Sequence, residues 1–260
     1  MDLFSFGLAH AEVWLLFLLR TLGFVFVAPL FSAQTVPPQF RIAFAFLLTM
    51  IAFIAWSPQA GGMAPGIQAF IPAALSELLL GMMLGFVVSL VFVAFQFAGQ
   101  FIGYQMGFAL VNVFDPQSQQ QVSMIGQSLF VVAALAFLSL NLHHDVIGLW
   151  YQSYQVAPLG AWDLSALSLA SIVALGTDLF VLALKIAMPL LIFLLLTDLA
   201  LGIVARVMPQ MNVFFVSIPL KIVLGLFFLS LVVLQFDPAV REVTVTFIND
   251  AGAMLVDMSG

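Results

Sequence analysis

Residues 171–199 read SIVALGTDLFVLALKIAMPLLIFLLLTDL, an almost uninterrupted apolar run. A helix needs about 20 such residues to cross the hydrocarbon core of a membrane, so this run is long enough to span one. It nevertheless contains Asp178, Lys185 and Asp198. Burying an ionised side chain in hydrocarbon costs roughly 2.5–3.5 kcal/mol, so such residues normally face partner helices or a water-filled path. The run therefore predicts a membrane helix whose charged residues serve a function.

The rest of the chain has the same apolar character. Hydrophobic residues make up 64% of the 260 residues and charged residues only 7%, which is too apolar for a soluble domain. The apolar segments lie at about 12–31, 40–57, 68–95, 122–140, 171–199 and 212–236. We therefore predict an all-α, polytopic membrane protein, a single domain of about six apolar segments, some of them broken.

The composition also excludes several classes of function. A net charge of −6 leaves no basic patch for nucleic acid, and the absence of cysteine excludes disulfides and thiolate metal sites. His143, His144 and Asp145 are adjacent, but neighbouring side chains on a helix point about 100° apart, which is poor geometry for chelation. We expect no metal, no cofactor and no catalytic site. An intramembrane enzyme that uses these three residues is one alternative.

Three further charged residues lie inside apolar stretches, namely Arg20, Glu77 and Lys221. The ordinary interpretation of Arg20 is a snorkelling or paired structural charge. Asp178 and Lys185 lie seven residues apart, too far for the usual pairing along one helix, so each of these two is expected to need a partner on another helix. Pro189 and Pro219 would interrupt their helices beside charged residues. Broken, charged helices also occur in secondary transporters of small solutes, which is a second alternative. Such transporters usually contain an internal repeat, and none is visible in this chain.

The aromatic residues predict an interfacial belt. If the chain makes six passes, one side of the membrane holds Trp14, Trp56, Trp150, Trp162, Tyr151 and Tyr154. The opposite side holds Arg41 and Arg206, and the positive-inside rule predicts that this side is cytoplasmic.

The central segment 96–127 combines a glycine repeat with a chain break. Gly99, Gly103 and Gly107 recur every four residues and would line one helix face, where a second backbone can approach closely. Ordinary helix packing also accounts for these glycines. Beyond them, a break and a neutral polar run comprise Asp115, Pro116, Gln117, Gln119, Gln120 and Gln121. This composition is typical of a deformable seal that touches both water and protein, and a plain exposed loop is the alternative.

Several ordered blocks of this sequence resemble the FliR family, the flagellar export-apparatus subunit whose injectisome relatives are the SctT proteins. The matching blocks are Arg20 with Ala28–Phe31, Val36-Pro37 with Arg41, Gly99–Phe108, Phe114–Pro116, Asn141–His144, Ser153–Gly160, Arg206–Phe214 and Pro219–Lys221. The ordered set covers nearly the whole chain, and its specificity lies in the order rather than in any single block.

The resemblance implies a subunit of the type III export gate, which assembles with FliP-like and FliQ-like subunits. Members are built of helical hairpins stacked helically around a pore, largely beyond the usual bilayer plane. In this chain residues 1–170 would be the P-like portion, 171–236 the Q-like hairpin and 237–260 a C-terminal tail. Further expected partners are other export-apparatus membrane proteins, unfolded export substrates and membrane lipid. The expected location is the bacterial inner membrane, within the flagellar basal body.

The resemblance also assigns residues. A plug closes the pore in this family, and it maps onto 106–122, with Met106, Phe108 and Phe114 beside the glutamines as sealing groups. The intersubunit or intramembrane charges would be Arg20, Glu77, Asp178, Lys185, Asp198, Arg206 and Lys221. Of these, Lys185, Asp198 and Lys221 are examples of charges that would find their partners on neighbouring subunits. A structural scaffold that lines no pore is a third alternative.

Overall fold

The protein is described by a computed structural model that covers residues 3–32, 36–60, 66–108, 123–160, 169–210 and 212–258. The regular elements within these ranges are helical. They are α1 (Leu3–Val27), α2 (Pro29–Ser32), α3 (Pro38–Ala60), α4 (Gly66–Met106), α5 (Met124–Ser139), α6 (Leu142–Val156), α7 (Leu169–Val207), α8 (Val213–Val233) and α9 (Phe236–Met258). The prediction of an all-α protein is confirmed.

The number of possible membrane crossings agrees with a polytopic protein. Four helices of the described chain, α3, α4, α7 and α8, are long and apolar enough to cross a membrane. Helices α5 and α6 meet at a bend of 77° and could form one broken span. The segment predicted at 68–95 is in fact part of a longer helix, because α4 continues through the glycine repeat as far as Met106.

Two helices are too long for a bilayer. Helix α4 has 41 residues and α7 has 39 residues. At 1.5 Å per residue each is roughly 60 Å long, about twice the thickness of the hydrocarbon core. Part of each helix must therefore lie outside the hydrocarbon, where charged and polar side chains are less costly.

The chain forms two compact units that alternate along the sequence. The first unit comprises Met1–Leu90, Asn141–Leu175 and Thr244–Gly260, and the second comprises Val91–Leu140 and Gly176–Val243. These units do not coincide with the predicted portions 1–170 and 171–236. The predicted portions rest on resemblance to other subunits, whereas the two units are defined by compact packing.

In the first unit, helices α1 and α4 pack backbone against backbone. A Cβ atom added to Gly23 would lie 2.5 Å from the carbonyl oxygen of Leu78, and one added to Gly81 would overlap the backbone of Arg20. Only glycine allows such an approach. This close contact brings the side chain of Arg20 on α1 directly to Glu77 on α4.

Arg20 and Glu77 form a fully buried ion pair. The Arg20 guanidinium donates from Nε to Glu77 Oε2 at 2.5 Å and from Nη2 to Oε1 at 3.0 Å. It also donates from Nη1 to the carbonyl oxygen of Ser153 and from Nη2 to that of Ala157, both at 3.0 Å. Glu77 accepts a further bond from the backbone N–H of Gly160 at 3.0 Å. The pair therefore joins α1, α4 and the end of α6.

Arg20 and Glu77 were expected to be either intersubunit or intramembrane charges, and this geometry pairs them with each other inside the chain. Each is satisfied within the chain, and the ordinary interpretation of Arg20 as a paired structural charge is the right one. A buried bidentate pair with additional hydrogen bonds is the arrangement that offsets the desolvation of both charges.

The structure corrects the predicted aromatic belt at two of its residues. Trp56 and Tyr151 lie together, with ring centroids 6.0 Å apart, and their place at a membrane interface stays a prediction. Trp150 and Tyr154, however, are buried in the first unit, where Trp150 packs against Phe24 and the Arg20 guanidinium lies 4.4 Å from the centre of the Tyr154 ring. Trp162 lies outside the described residues. Two of the residues predicted for the belt, Trp150 and Tyr154 on α6, therefore belong to the core of the first unit.

Removing one member of the buried pair should be more harmful than removing both. Arg20→Met or Glu77→Leu leaves a buried, uncompensated charge, and the loss expected from breaking such a pair is about 3–5 kcal/mol of stability. The double variant leaves no unpaired charge and should recover part of that loss. Thermal unfolding of the protein, purified from native membranes with whatever remains bound to it, measures all three variants. A double variant less stable than both single variants would contradict this account.

Candidate functional site

The end of α4 has the hydrogen-bond pattern of a glycine cap. Gly107 has a φ of 92°, a conformation that residues other than glycine rarely adopt. The N–H of Phe108 donates to the carbonyl oxygen of Gly103 and that of Gly107 to the carbonyl of Tyr104, both at 3.1 Å. These two bonds form a Schellman motif, which fixes where the helix stops and where the chain departs.

This finding corrects the expected role of Gly107. A Cβ atom on Gly107 would meet nothing closer than Ile218 Cγ2 at 4.0 Å, so Gly107 serves the turn and not close helix packing. Gly99 differs, because an added Cβ would lie 2.5 Å from the Cα atom of Gly126 on α5. Gly103 faces the side chain of Ser123, whose Oγ would lie 2.8 Å from an added Cβ.

Ser123 fixes the start of α5 to the same stretch of α4. Its Oγ accepts a hydrogen bond from the N–H of Gly126 at 3.2 Å, which caps the helix, and donates to the carbonyl oxygen of Gly99 at 3.4 Å. Phe108 and Ser123, which flank the segment 109–122, are therefore both bound to Gly99–Gly103. The chain leaves α4 and returns to it within about one helical turn.

The expected sealing residues fall into two groups. Met106 is fully buried and Phe108 is half-buried. The others lie outside the described residues, and they are Phe114, Asp115, Pro116, Gln117, Gln119, Gln120 and Gln121. The sealing role of these residues stays a prediction.

Met106 holds the end of α4 against α8. A Cβ atom on Gly225 would lie 2.6 Å from Met106 Cε and 2.9 Å from its Sδ, so the thioether occupies the space that a larger residue would fill. A flexible methionine side chain suits such an irregular gap.

The end of α4 also makes a polar contact with α7 and α8, through the carboxylate of Asp198. Asp198 on α7 forms an ion pair through Oδ1 with Lys221 Nζ on α8. Its other oxygen accepts a hydrogen bond from Gln105 Nε2, at the end of α4, at 2.9 Å. The Lys221 side chain is 17% exposed and that of Asp198 38%. Asp198 therefore joins α4, α7 and α8, and we call Gln105, Asp198 and Lys221 the Asp198 cluster.

The Asp198 cluster corrects a second expectation. Asp198 and Lys221 were expected to find counter-charges on neighbouring subunits, but they pair with each other inside the chain. Sequence reasoning did not single out Gln105, because a glutamine within a glycine repeat carries no signal of a distant carboxylate.

The remaining charged residues of α7 have different environments. Lys185 pairs with Glu242 of α9 at 3.4 Å, and the two side chains are 63% and 61% exposed, so the expected partner on another subunit is again replaced by one in the chain. Asp178 is half-buried and forms no ion pair or hydrogen bond with any residue that the structure describes. Arg206 is exposed near the end of α7.

The two adjacent histidines do not build a metal centre in the part of the chain that the structure describes. The His143 and His144 rings lie 4.2 Å apart, and no group of three potential ligands occurs among the described residues. The expectation of no metal stays a prediction.

Fold and site together define a polytopic helical membrane protein in which a glycine-rich helix end is fixed to a charged helical hairpin. Residues 11–246 match the family described as "Bacterial export proteins, family 1". The chain belongs to this family, and the resemblance inferred from the ordered blocks is confirmed.

Several relatives agree with that assignment. The chain is 35% identical over 236 residues to the flagellar biosynthetic protein FliR of Bacillus subtilis, covering 88% of this chain and 89% of the relative. Identity to FliR of Aquifex aeolicus is 32%, with 82% and 81% covered. For FliR of Escherichia coli it is 29%, with 80% and 79% covered.

Family membership decides between two of the interpretations. The chain is a bacterial export protein of this family. The alternative of a secondary transporter for a small solute finds no support, since the family model that matches residues 11–246 describes export proteins and the relatives named here are flagellar biosynthetic proteins.

Lys221→Ala should lower the amount of the assembled protein. It leaves the Asp198 carboxylate without its ion pair, and a loss of about 1–2 kcal/mol changes cellular abundance several-fold. Quantitative detection of the chain in membranes measures the effect. Arg206→Ala is the matched control, because it removes an exposed cation near the same turn. Equal losses in both variants would contradict a specific role for the Asp198 cluster.

Proposed function

We propose that this chain is a core subunit of the flagellar type III protein export gate, which assembles with FliP-like and FliQ-like subunits around a pore for unfolded substrates. Membership of the export family and the names of its relatives support this proposal. The observation that carries it is the anchored base of the central segment, where Phe108 and Ser123 are both tied to Gly99–Gly103.

The anchored base of the central segment suits a plug. A segment that must block a pore and later yield needs fixed ends and adaptable contact groups between them. Residues 109–122 supply phenylalanine and glutamine but no lysine or arginine. Such side chains make sequence-tolerant contacts, whereas a fixed cation would trap acidic substrates. Residues 106–122 are therefore assigned as the plug, with Met106 and Phe108 at its foot.

The exposed apolar surface suits an assembly in a membrane. On α7 and α8 the exposed large side chains include Ile192, Leu199, Val223 and Phe227. Such a surface requires lipid or companion helices to cover it. We assign α7 and α8 as the Q-like hairpin (171–236) and the preceding residues 1–170 as the P-like portion. The lengths of α4 and α7 fit a complex held largely beyond the bilayer plane.

The proposed location is the bacterial inner membrane within the flagellar basal body, beside the other membrane proteins of the export apparatus. The role is structural and conductive, with no catalytic step. Half-buried Asp178, which has no partner among the described residues, is assigned to a contact with a neighbouring subunit.

Deleting Asp115–Gln121 should make the closed gate leak ions. The anchors at Gly103 and Ser123 remain, but the sealing groups between them are lost. Membrane conductance, measured on vesicles that contain the assembled complex, should rise above that of the unchanged protein. The double variant Lys185→Gln/Glu242→Gln removes an exposed pair away from the plug and should not leak. A deletion complex of normal subunit ratio with unchanged conductance would favour the scaffold that lines no pore.

Purification from native membranes should yield two small helical companions in a fixed ratio to this chain. The exposed apolar faces of α7 and α8 require such neighbours, so the companions should remain bound in mild detergent. The subunit ratio can be measured by native mass spectrometry. A stable, lone monomer would contradict the gate assignment.

A further inference from the structure

The Asp198 cluster contains two bonds of unequal strength that share one carboxylate. One oxygen of Asp198 is paired with the cation Lys221, and the other accepts from the neutral amide of Gln105 at 2.9 Å. An ion pair with a hydrogen bond is stronger than a hydrogen bond from a neutral donor. The connection to α4 is therefore the weaker half of the cluster.

The hydrogen bond from Gln105 to Asp198 can break without leaving a charge unpaired. Asp198 and Lys221 neutralise each other whether or not Gln105 is bound, so releasing Gln105 creates no unpaired charge in an apolar environment. Releasing Lys221 would leave two. The α7–α8 hairpin can therefore stay intact while the end of α4 detaches from it.

We propose that Asp198 is a positioning residue that holds the end of α4 against the α7–α8 hairpin through a releasable hydrogen bond from Gln105. The ion pair with Lys221 keeps the acceptor in place, so the bond can re-form. We call this connection the Gln105 latch. Its effect on the gate depends on the proposed function, but the latch itself can be measured without it.

Met106 provides a direct reporter of the latch. It follows Gln105 in sequence, has no exposed surface and fills the space beside Gly225. Peroxide converts methionine to its sulfoxide, and the reaction requires access to the sulfur. When the end of α4 detaches from α8, Met106 becomes reactive, and the oxidation rate then follows the population of the detached state.

The chain supplies two internal controls for this measurement. Met124 is 75% exposed and should react at the same rate in every variant. Met258 is 4% exposed in the first compact unit and should stay protected unless the chain unfolds. Mass spectrometry of peptides from peroxide-treated native membranes reports all three sites in the assembled protein.

Gln105→Leu removes the donor and keeps the Asp198–Lys221 ion pair. Because a hydrogen bond to a charged acceptor is lost, Met106 oxidation should rise by roughly ten- to a hundred-fold, with Met258 still protected. Gln152→Leu makes the same change at an exposed glutamine of α6 and should leave the rate unchanged. An unaltered Met106 rate in Gln105→Leu would overturn the proposal.

An exchange of the two side-chain types provides the rescue. Gln105→Glu places two carboxylates together, and Asp198→Asn weakens the hold on Lys221, so each single variant should oxidise faster at Met106. In the double variant the amide introduced on α7 can donate to the carboxylate introduced on α4 while its oxygen accepts from Lys221, which restores protection. A double variant as reactive as the faster single variant would also overturn the latch.

Conductance measurements distinguish a failure of the latch proposal from a failure of the proposed gate function. If Gln105→Leu exposes Met106 and also raises conductance, the latch controls the gate. If the deletion of Asp115–Gln121 raises conductance but Gln105→Leu changes neither Met106 oxidation nor conductance, the latch proposal is wrong and the plug assignment stands. If Met106 is exposed and neither variant leaks, the latch stands and the proposed gate function fails.

Discussion

An ionised side chain among apolar helices needs a partner, and this requirement determines both compact units of the protein. In the first unit, Arg20 and Glu77 satisfy it with a buried bidentate pair to which Ser153, Ala157 and Gly160 add backbone bonds. In the second, Asp198 satisfies it with Lys221 and Gln105. Breaking either ion pair would leave a charge that neither lipid nor apolar packing can compensate.

The two sets differ in what they permit. The Arg20–Glu77 pair has no exposed surface and is joined to several backbone groups, so it can only fix the packing of its helices. The Asp198 cluster is partly exposed and binds one neutral donor, so one of its connections can break without leaving a charge unpaired. In the proposed function the protein must both hold a seal and release it, and the Arg20–Glu77 pair would serve as the rigid part and the Asp198 cluster as the separable part.

Sequence reasoning succeeded for properties that depend on neighbouring residues or on the order of short blocks along the chain. Apolar segments of about 20 residues or more predicted α1, α3, α4, α5, α7 and α8 but not the more polar α6 and α9, and the ordered blocks from Arg20 to Lys221 predicted the export family. It failed for charge partners, because Arg20 and Glu77 are 57 residues apart and two of the Arg20 acceptors are backbone carbonyls, which any residue supplies. It also misplaced Gly107, since a regular spacing of glycines does not show which one ends the helix. Trp150 was misplaced because a residue suited to an interface is equally suited to a core.

An experimental density map of the closed, assembled complex would test the central claim most directly, because it would reveal the charge partners and the central segment together. The account predicts that Asp198 contacts Lys221 and Gln105 of its own chain, and that residues 109–122 cross the pore between anchors at Gly103 and Ser123. A map in which Asp198 pairs with a neighbouring subunit, or in which 109–122 lies on the outer surface of the complex, would contradict it.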